Sequence, residues 1–482
     1  MTTKVESSDE LKCFFEPESV AVVGASRDPL KYGHSLLKNL VDLGFEGRIY
    51  PVNPKADEIL GLQAYPRVDL IKDDVELAII IVPAPRVPQV INDCSKKHVK
   101  GVVICSSGFR ESGETGQRLE EETVRIAREA GIRIIGPNTT GVLNTSNNFT
   151  TSFVPLPKLK KGNVAFIAQT GLLAAAAFWW IISTQPFDVS KVVGLGNKCD
   201  VDDAEVLKYL AEDEDTKVIA VYMEGVKDGR KLLSALKSVA RRKPVIILKS
   251  GRSQSGVKAS LSHTGSIAVK DEIFNSVCRQ AGVIRVDGGI EELMDITKAF
   301  ALQPLPKGNK VAVITVTGAG GVMAADECEN QGLELASPSE ETLSFVKGYL
   351  PPWANVNNPM DIEPLFETVG PADSVRIPLE VALEDPNVDS IAILFVAVPR
   401  LIPVFDIKNV ITQMIDRHYQ QRKPILTHLI GFKETVDSWT TTLEEEGILV
   451  YPSIERCIKA LGALWKYQSF KVQKILEKSR QP

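Results

Sequence analysis

The sequence predicts an α/β protein built from three doubly wound domains, and three observations carry that expectation. Short β-branched runs alternate with segments of helical spacing along the whole chain. A similar strand-to-turn opening occurs three times: SVAVVGAS from Ser19, NVAFIAQTG from Asn163 and KVAVITVTGAGG from Lys310. Their spacing of roughly 145 residues is about that of one domain. A polar stretch at 144–161 and a Pro-rich one at 302–310 then read as seams. The 482 residues, at roughly 150 per domain, divide into 1–148, 149–304 and 305–482.

In the first domain the runs at 20–23, 77–82, 101–105 and 133–135 are continuously apolar, and 120–130 between two of them has helical spacing. Such strands indicate a parallel sheet covered on both faces, with ligands at the carboxyl ends of its strands. GASRDPLKYG (24–33) follows the first strand and presents backbone N–H groups and a helix start to an anion. The full GxGxxG fingerprint is absent, which disfavours a nicotinamide cofactor. In YPVNPK (50–55), Lys55 stands where dinucleotide-binding domains often carry an acidic residue. It suits an extra ribose phosphate, or it is an ordinary surface lysine. IVPAP (81–85), CSSGF (105–109) and GPNTTG (136–141) supply further strand ends.

The second domain opens with FIAQTGLLAAAAF. Thr170 reads as an N-cap and Gly171 as a point of close approach, so this is a second anion site or a plain capped helix. The apolar run 171–182 is shorter than the ~20 residues of a membrane span and reads as a buried helix. Glu224, in AVYMEGVKDGR (220–230), ends an apolar strand. It can orient an imidazole, or serve as a cap or surface carboxylate. After the run 245–248 comes KSGRSQSGVKASLSHTGS (249–266), whose Gly and Ser content predicts a mobile loop. His263 within it is either a solvated surface histidine or a nucleophile. Imidazole suits the second role because it is nucleophilic near neutral pH and its phosphoramidate readily passes the phosphoryl group on. The third domain starts with TGAGGVMAAD (317–326), again strand, Gly-rich turn and helix. PPW and NNPMDI (357–362) read as a structured loop, and the basic tail from Trp465 as a surface helix.

A net charge of −5 leaves no broad basic surface, so nucleic acid is not expected as a partner. Seven cysteines stand singly, without CxxC spacing, which argues against zinc and disulfides. The N-terminus is polar, and a reduced, cytoplasmic protein away from membranes is expected. Glycosylation triplets at Asn138, Asn144 and Asn148 are then chance matches. No GxxxxGK[ST] is present to bind a nucleotide alone.

GASRDPLKYG, GPNTTG, YMEGVKDGR, KSGR followed by SHTGS, and AGVIRVD (281–287), in this order, closely resemble the α subunit of the ADP-forming acetyl-CoA synthetases. These belong to the nucleoside-diphosphate-forming acyl-CoA synthetase superfamily, which includes succinyl-CoA synthetase. The resemblance runs from Phe14 to about Tyr467. It implies an N-terminal Rossmann-like CoA-binding domain and two flavodoxin-like ligase domains. It also implies a separate ATP-grasp β subunit that holds ADP or ATP with Mg²⁺ in a hetero-oligomer, α2β2. By motif match, His263 would be the phosphorylated histidine and Glu224 the carboxylate that orients it. Gln169, Thr170 and Gly171, with Gly318, Ala319, Gly320 and Gly321, would be paired helix starts that cradle phosphate. Gly24, Ser26, Arg27 and Lys31 would contact CoA, with Lys55, Val82, Pro83, Ser107 and Asn138 around its nucleotide and pantetheine. No metal ligand is expected on this chain.

The implied reaction converts acyl-CoA, ADP and phosphate reversibly to a carboxylic acid, ATP and CoA, through an acyl phosphate and phosphohistidine. A succinate-specific ligase subunit and a non-catalytic CoA-binding regulator are the alternatives. Three departures bear on substrate and loop: Thr170 replaces the family's usual serine, Val269 and Lys270 its usual Gly-Ser pair, and GPNTTG is nearer the succinate form.

Overall fold

The computed structural model describes residues 9–169, 171, 177–264, 269–398, 404–418 and 422–479. The chain divides into two compact units between Asp287 and Gly288. The first unit begins with a parallel sheet of Ser19–Val23 (β1), Arg48–Val52 (β2) and, after a small separate hairpin of Glu58–Ile59 (β3) and Leu62–Gln63 (β4), Leu77–Ile80 (β5), Gly101–Ile104 (β6) and Arg133–Ile135 (β7). Its order is β2-β1-β5-β6-β7. Residues alternate between two cores. Val20 and Val22 pack with Leu36, Leu37 and Leu40 of helix Tyr32–Leu43, whereas Ala21 and Val23 pack with Val87, Ile91 and Cys94 of helix Val87–Lys96. Both faces are covered, which is why these strands read as unbroken apolar runs.

A second sheet in the same unit contains Val142–Asn144 (β8), Phe149–Thr150 (β9), Val164–Ala168 (β10), Val189–Gly194 (β11), Val218–Met223 (β12), Val245–Lys249 (β13) and Ile284–Val286 (β14). The order is β14-β13-β12-β10-β11-β8-β9, parallel except where β8 joins β11 and β9. The second unit carries Lys310–Thr315 (β15), Glu334–Leu335 (β16), Met360–Asp361 (β17), Ser390–Ala397 (β18), Ile425–Gly431 (β19) and Leu449–Tyr451 (β20), ordered β16-β15-β18-β19-β20 with β17 paired to the end of β15. Helix Ile290–Leu302 goes with this unit. Numbered along the chain, the main parallel strands of each sheet read 2-1-3-4-5. Each sheet therefore opens a crevice at the carboxyl ends of its first and third strands, where the winding reverses: β1/β5, β10/β12 and β15/β18.

Several expectations change. The mobile loop expected at 249–266 contains a helix, Gln254–Thr264. Ser253 starts it: its Oγ accepts from the N–H of Gly256 at 3.1 Å, and its carbonyl from that of Val257 at 2.8 Å. Gln, Lys, Ala and Leu then outweigh the Gly and Ser that suggested a loop. The apolar run 171–182 is not uniformly buried. In its described helix, Ala177–Thr184, Phe178 and Ile181 are buried while Trp179 and Trp180 are 44% and 37% exposed. The polar stretch from 144 is not a bare seam, because β8 and β9 extend the second sheet. Asn144 is buried and its Nδ2 donates to the Phe15 carbonyl at 3.0 Å. NNPMDI contains the short strand β17, and the basic tail continues helix Ile454–Ser479, where Tyr467 is buried.

Candidate active site

All nine residues singled out for CoA stand at the carboxyl edge of the first sheet. Gly24 follows β1 with φ +99°, and a Cβ there would lie 2.5 Å from the Ile81 carbonyl oxygen. Only glycine lets the turn pass so close to the end of β5. Beyond it, Ser26 Oγ accepts from the N–H of Asp28 at 3.1 Å, and Arg27 Nε donates to the Glu58 carbonyl at 2.8 Å. Lys31, extended and exposed, precedes helix Tyr32–Leu43. Exposed Lys55 follows β2, its N–H donating to Asn53 Oδ1 at 2.8 Å. Val82 and Pro83 follow β5, and Ser107 follows β6. Asn138, with φ +60°, follows β7 and donates its N–H to the Ser106 carbonyl at 2.9 Å. Cys105 sits beside them, but burial pushes its thiol up to about 12, so it offers no thiolate near neutral pH.

In the second sheet, Gln169 follows β10 and Glu224 follows β12, the two strands that flank the crevice. Both are buried. Gln169 Oε1 accepts from the backbone N–H groups of Glu224 and Gly225, each at 2.9 Å. The Tyr222 hydroxyl, pushed up first by burial, donates to Glu224 Oε1 at 3.4 Å. Gly171 is exposed, with open space where a Cβ would stand, and Thr170 lies outside the described residues. From β13, buried Lys249 donates to the carbonyls of Ser250 and Gly251 at 3.1 and 3.2 Å. Its ammonium is held below the usual lysine range by burial. Helix Gln254–Thr264 follows, with His263 in its last turn; that side chain lies outside the described ones. This helix packs against the turn Arg110–Ser112, which follows β6 of the first sheet.

In the other unit, Thr317 caps helix Gly318–Asn330, its Oγ1 accepting from the N–H of Gly320 at 2.9 Å. Gly318 and Ala319 are exposed at this start, and Gly321 is buried. Their first N–H groups project from the helix end, as at any helix start.

The structure adds a group that motif reading missed. Asn197, in the loop after β11, donates through Nδ2 to Glu111 Oε2 at 2.7 Å and to Glu120 Oε2 at 2.9 Å. These partners lie 86 and 77 positions away in the sequence, a distance no local pattern reveals. The only local sign is GLGNKCD after an apolar strand, a turn sequence with a polar core. Among the described residues no group of three or more His, Cys, Asp or Glu is placed to hold a metal ion, and no helix is long and apolar enough to cross a membrane.

Three doubly wound α/β sheets, each with a crevice at the point where its winding reverses, define a multidomain ligand-binding α/β protein. Family models agree along the chain: a CoA binding domain over 18–145, a succinyl-CoA ligase like flavodoxin domain over 161–300 and a ligase-CoA domain over 311–475. The ADP-forming acetate–CoA ligase II of Archaeoglobus fulgidus is 45% identical over 96% of this chain and 68% of its own length. The α subunit of the ADP-forming acetate–CoA ligase I of Pyrococcus furiosus is 40% identical over 96% of this chain and 99% of its own. The dinucleotide-forming acetyl-coenzyme A synthetase 1 of Ca. Korarchaeum cryptofilum, solved with phosphate and ADP, superimposes with a TM-score of 0.90 at 36% identity, covering 98% of this chain and 99% of that one. The chain belongs to the family of ADP-forming acetate–CoA ligase α subunits.

Proposed function

We propose that this chain catalyses the acyl-CoA half of a reversible conversion of acyl-CoA, ADP and phosphate to a carboxylic acid, ATP and CoA, with acetate as the first acid to test. The observation that carries the reading is the packing of helix Gln254–Thr264 on the turn that follows β6. It sets the helix bearing His263 beside the edge where Ser107 stands.

In this mechanism CoA lies along Gly24, Ser26, Arg27 and Lys31, with Lys55 near a phosphate of its nucleotide and Val82, Pro83, Ser107 and Asn138 along its arm. Phosphate attacks the thioester carbonyl, the C–S bond breaks, and CoA leaves as the thiol. By the family's motifs, backbone N–H groups at Gln169–Gly171 offset the developing negative charge, and Gly318–Gly321 is a second phosphate-binding helix start. Neutral His263, oriented by Glu224, attacks the phosphorus of the acyl phosphate, and the P–O bond to the acyl group breaks to release the carboxylate. The phosphohistidine then gives its phosphoryl group to ADP. ADP and Mg²⁺ are held by an ATP-grasp β subunit, in an α2β2 assembly in the cytoplasm. The Pyrococcus furiosus relative, itself called an α subunit, supports a partner chain. A succinate-specific or purely regulatory role has less support, since relatives at 40–45% identity are acetate–CoA ligases.

The test supplies acetyl-CoA and labelled phosphate to the native chain with its β subunit, alongside His263→Ala. Acid-labile label on the native chain and none on the variant is the expected result. Label that persists in His263→Ala overturns the carrier assignment; no label on the native chain, despite CoA binding, overturns the mechanism.

A further inference from the structure

The buried contact made by Asn197 joins the two sheets of the first unit at their ligand-bearing edges, and the reaction described above gives it no part. Asn197 is 7% exposed and Glu120 is 1% exposed. Both amide hydrogens of Asn197 are used: one carboxylate oxygen of Glu111 accepts at 2.7 Å and one of Glu120 at 2.9 Å. Two carboxylates leave the amide a single sensible orientation, NH₂ toward them.

Glu111 passes the constraint on. Its other oxygen accepts from the backbone N–H groups of Gly108 and Phe109 at 2.7 and 3.1 Å, one and two residues beyond Ser107. Burial alone would raise this carboxyl, but the Asn197 amide and these N–H groups outweigh burial and hold it below its usual range. Glu120 is tied in turn to Arg110, whose Nε lies 3.1 Å from Oε1. Arg110 opens the turn on which helix Gln254–Thr264 packs.

The backbone of the same loop is pressed against GPNTTG. The N–H groups of Asn197 and Cys199 donate to the carbonyls of Pro137 and Gly136, each at 3.0 Å. Gly196 has φ +54°, and a Cβ there would overlap the carbonyl oxygens of Pro137 and Asn138. One side chain therefore sits where the loops after β6, β7 and β11 meet.

We infer that Asn197 is a positioning residue for CoA: through Glu111 it fixes the strand end at 106–109, along which the pantetheine arm lies, relative to the second sheet. The inference rests on the reading that CoA occupies this edge. Without the amide, the buried Glu120 and the half-buried Glu111 carboxylates face each other with no donor between them, and the 106–109 backbone loses its register.

The test is calorimetric titration of CoA into the native chain and variants at pH 8 and pH 6, with each affinity taken as a ratio to native at the same pH. Asn197→Ala is expected to weaken CoA binding about tenfold at both pH values, the scale of losing hydrogen bonds to charged groups. Asn197→Asp places a third carboxylate against Glu111 and Glu120, and the weakening is again about tenfold at pH 8. At pH 6 one proton shared within the cluster restores a donor, and affinity returns to within about twofold of native. The other groups around the site are the cations Arg110 and Lys227 and the Cys199 thiol. Burial lowers Lys227, and burial raises Cys199 so that it stays neutral. A merely structural role would lower the melting temperature without this pH reversal in affinity.

Glu111→Gln is the second variant, in case Asn197→Asp does not fold. It keeps an acceptor for Gly108 and Phe109 but turns a donor toward Asn197, so CoA binding weakens with no recovery at pH 6. Native affinity in Asn197→Ala or Glu111→Gln overturns the inference. Failure of the native chain to bind CoA would instead remove the functional reading on which it stands.

Discussion

Gln169→Leu removes an acceptor while nearly conserving volume, so its effect can be worked from the geometry. Gln169 is 1% exposed, and its Oε1 takes the N–H groups of Glu224 and Gly225 at 2.9 Å each. Leucine leaves two buried donors without that acceptor. Each unsatisfied N–H costs about 1–3 kcal/mol, and the added apolar burial returns roughly 1–2 kcal/mol. Mid-range values give an expected net loss of about 2.5 kcal/mol, a large share of the roughly 5–15 kcal/mol that holds a typical domain together. With a urea m-value near ~3 kcal/mol/M, the unfolding midpoint falls by about 1 M at unchanged m. Gln169→Glu separates stability from chemistry. Its carboxylate still accepts both N–H groups, so the midpoint at pH 8 stays within about 0.3 M of native. It also adds a negative charge at the helix start and beside Glu224, and labelling of the chain by phosphate falls at least about tenfold. A midpoint for Gln169→Leu within about 0.2 M of native would refute the reasoning, because the crevice would then not depend on this clamp.

Two further outcomes follow from single residues. In Gly24→Ala the new Cβ meets the Ile81 carbonyl oxygen at 2.5 Å and Val82 Cγ1 at 3.0 Å with φ at +99°. The turn must shift at a strain of about 1–3 kcal/mol, so thermal denaturation shows a lower Tm and CoA titration a weaker Kd. His428 is buried in β19, its Nδ1 2.9 Å from the Tyr451 carbonyl oxygen, and burial lowers its affinity for a proton. Its folded pKa lies below its unfolded one, so the unfolded state binds the proton first as pH falls. The stability it contributes is complete above an unfolded pKa of about 6.5 and is lost as pH drops through that value to the lowered folded one. Urea midpoints of the native chain should fall from pH 8 to 5 more steeply than those of His428→Asn; parallel slopes would exclude this histidine as the source.

What the sequence made legible follows from how local each signal is. Strand openings at Ser19, Asn163 and Lys310 were readable because both faces of each sheet are covered, which leaves unbroken apolar runs of strand length. The residues after those strands were readable as strand ends for the same reason: once the strands are placed, their carboxyl ends are known. Helix Gln254–Thr264 was not, since Ser and Gly signal turns and its Ser253 cap looks like more of the same composition. Asn144 read as part of a polar linker because a buried asparagine bonded to the Phe15 carbonyl has the same letter as a solvated one. Asn197 was invisible as a function because its meaning lies in Glu111 and Glu120, which only the fold brings to it.

The first unit also bears on what must move in the proposed reaction. One continuous apolar core runs from Val20 of the first sheet and Leu36 of helix Tyr32–Leu43 through Phe149, Ile167 and Val193 to Ile247 of the second sheet and Phe274 of helix Asp271–Ala281. Close-packed interiors transmit displacement instead of absorbing it, so the CoA edge and the β10/β12 crevice keep a fixed separation behind the Asn197 contact. A histidine that serves both an acyl phosphate here and ADP on another polypeptide cannot be carried by bending such a body. The helix that bears it has a different character: between Gln254 and Ser260 only Ser260 is buried. Elements with few buried contacts open locally at far lower free energy than the core around them. In the proposed reaction the thioester's platform is thus the close-packed part of the first unit, while Gln254–Ser260, the stretch leading to the histidine, is its more exposed neighbour.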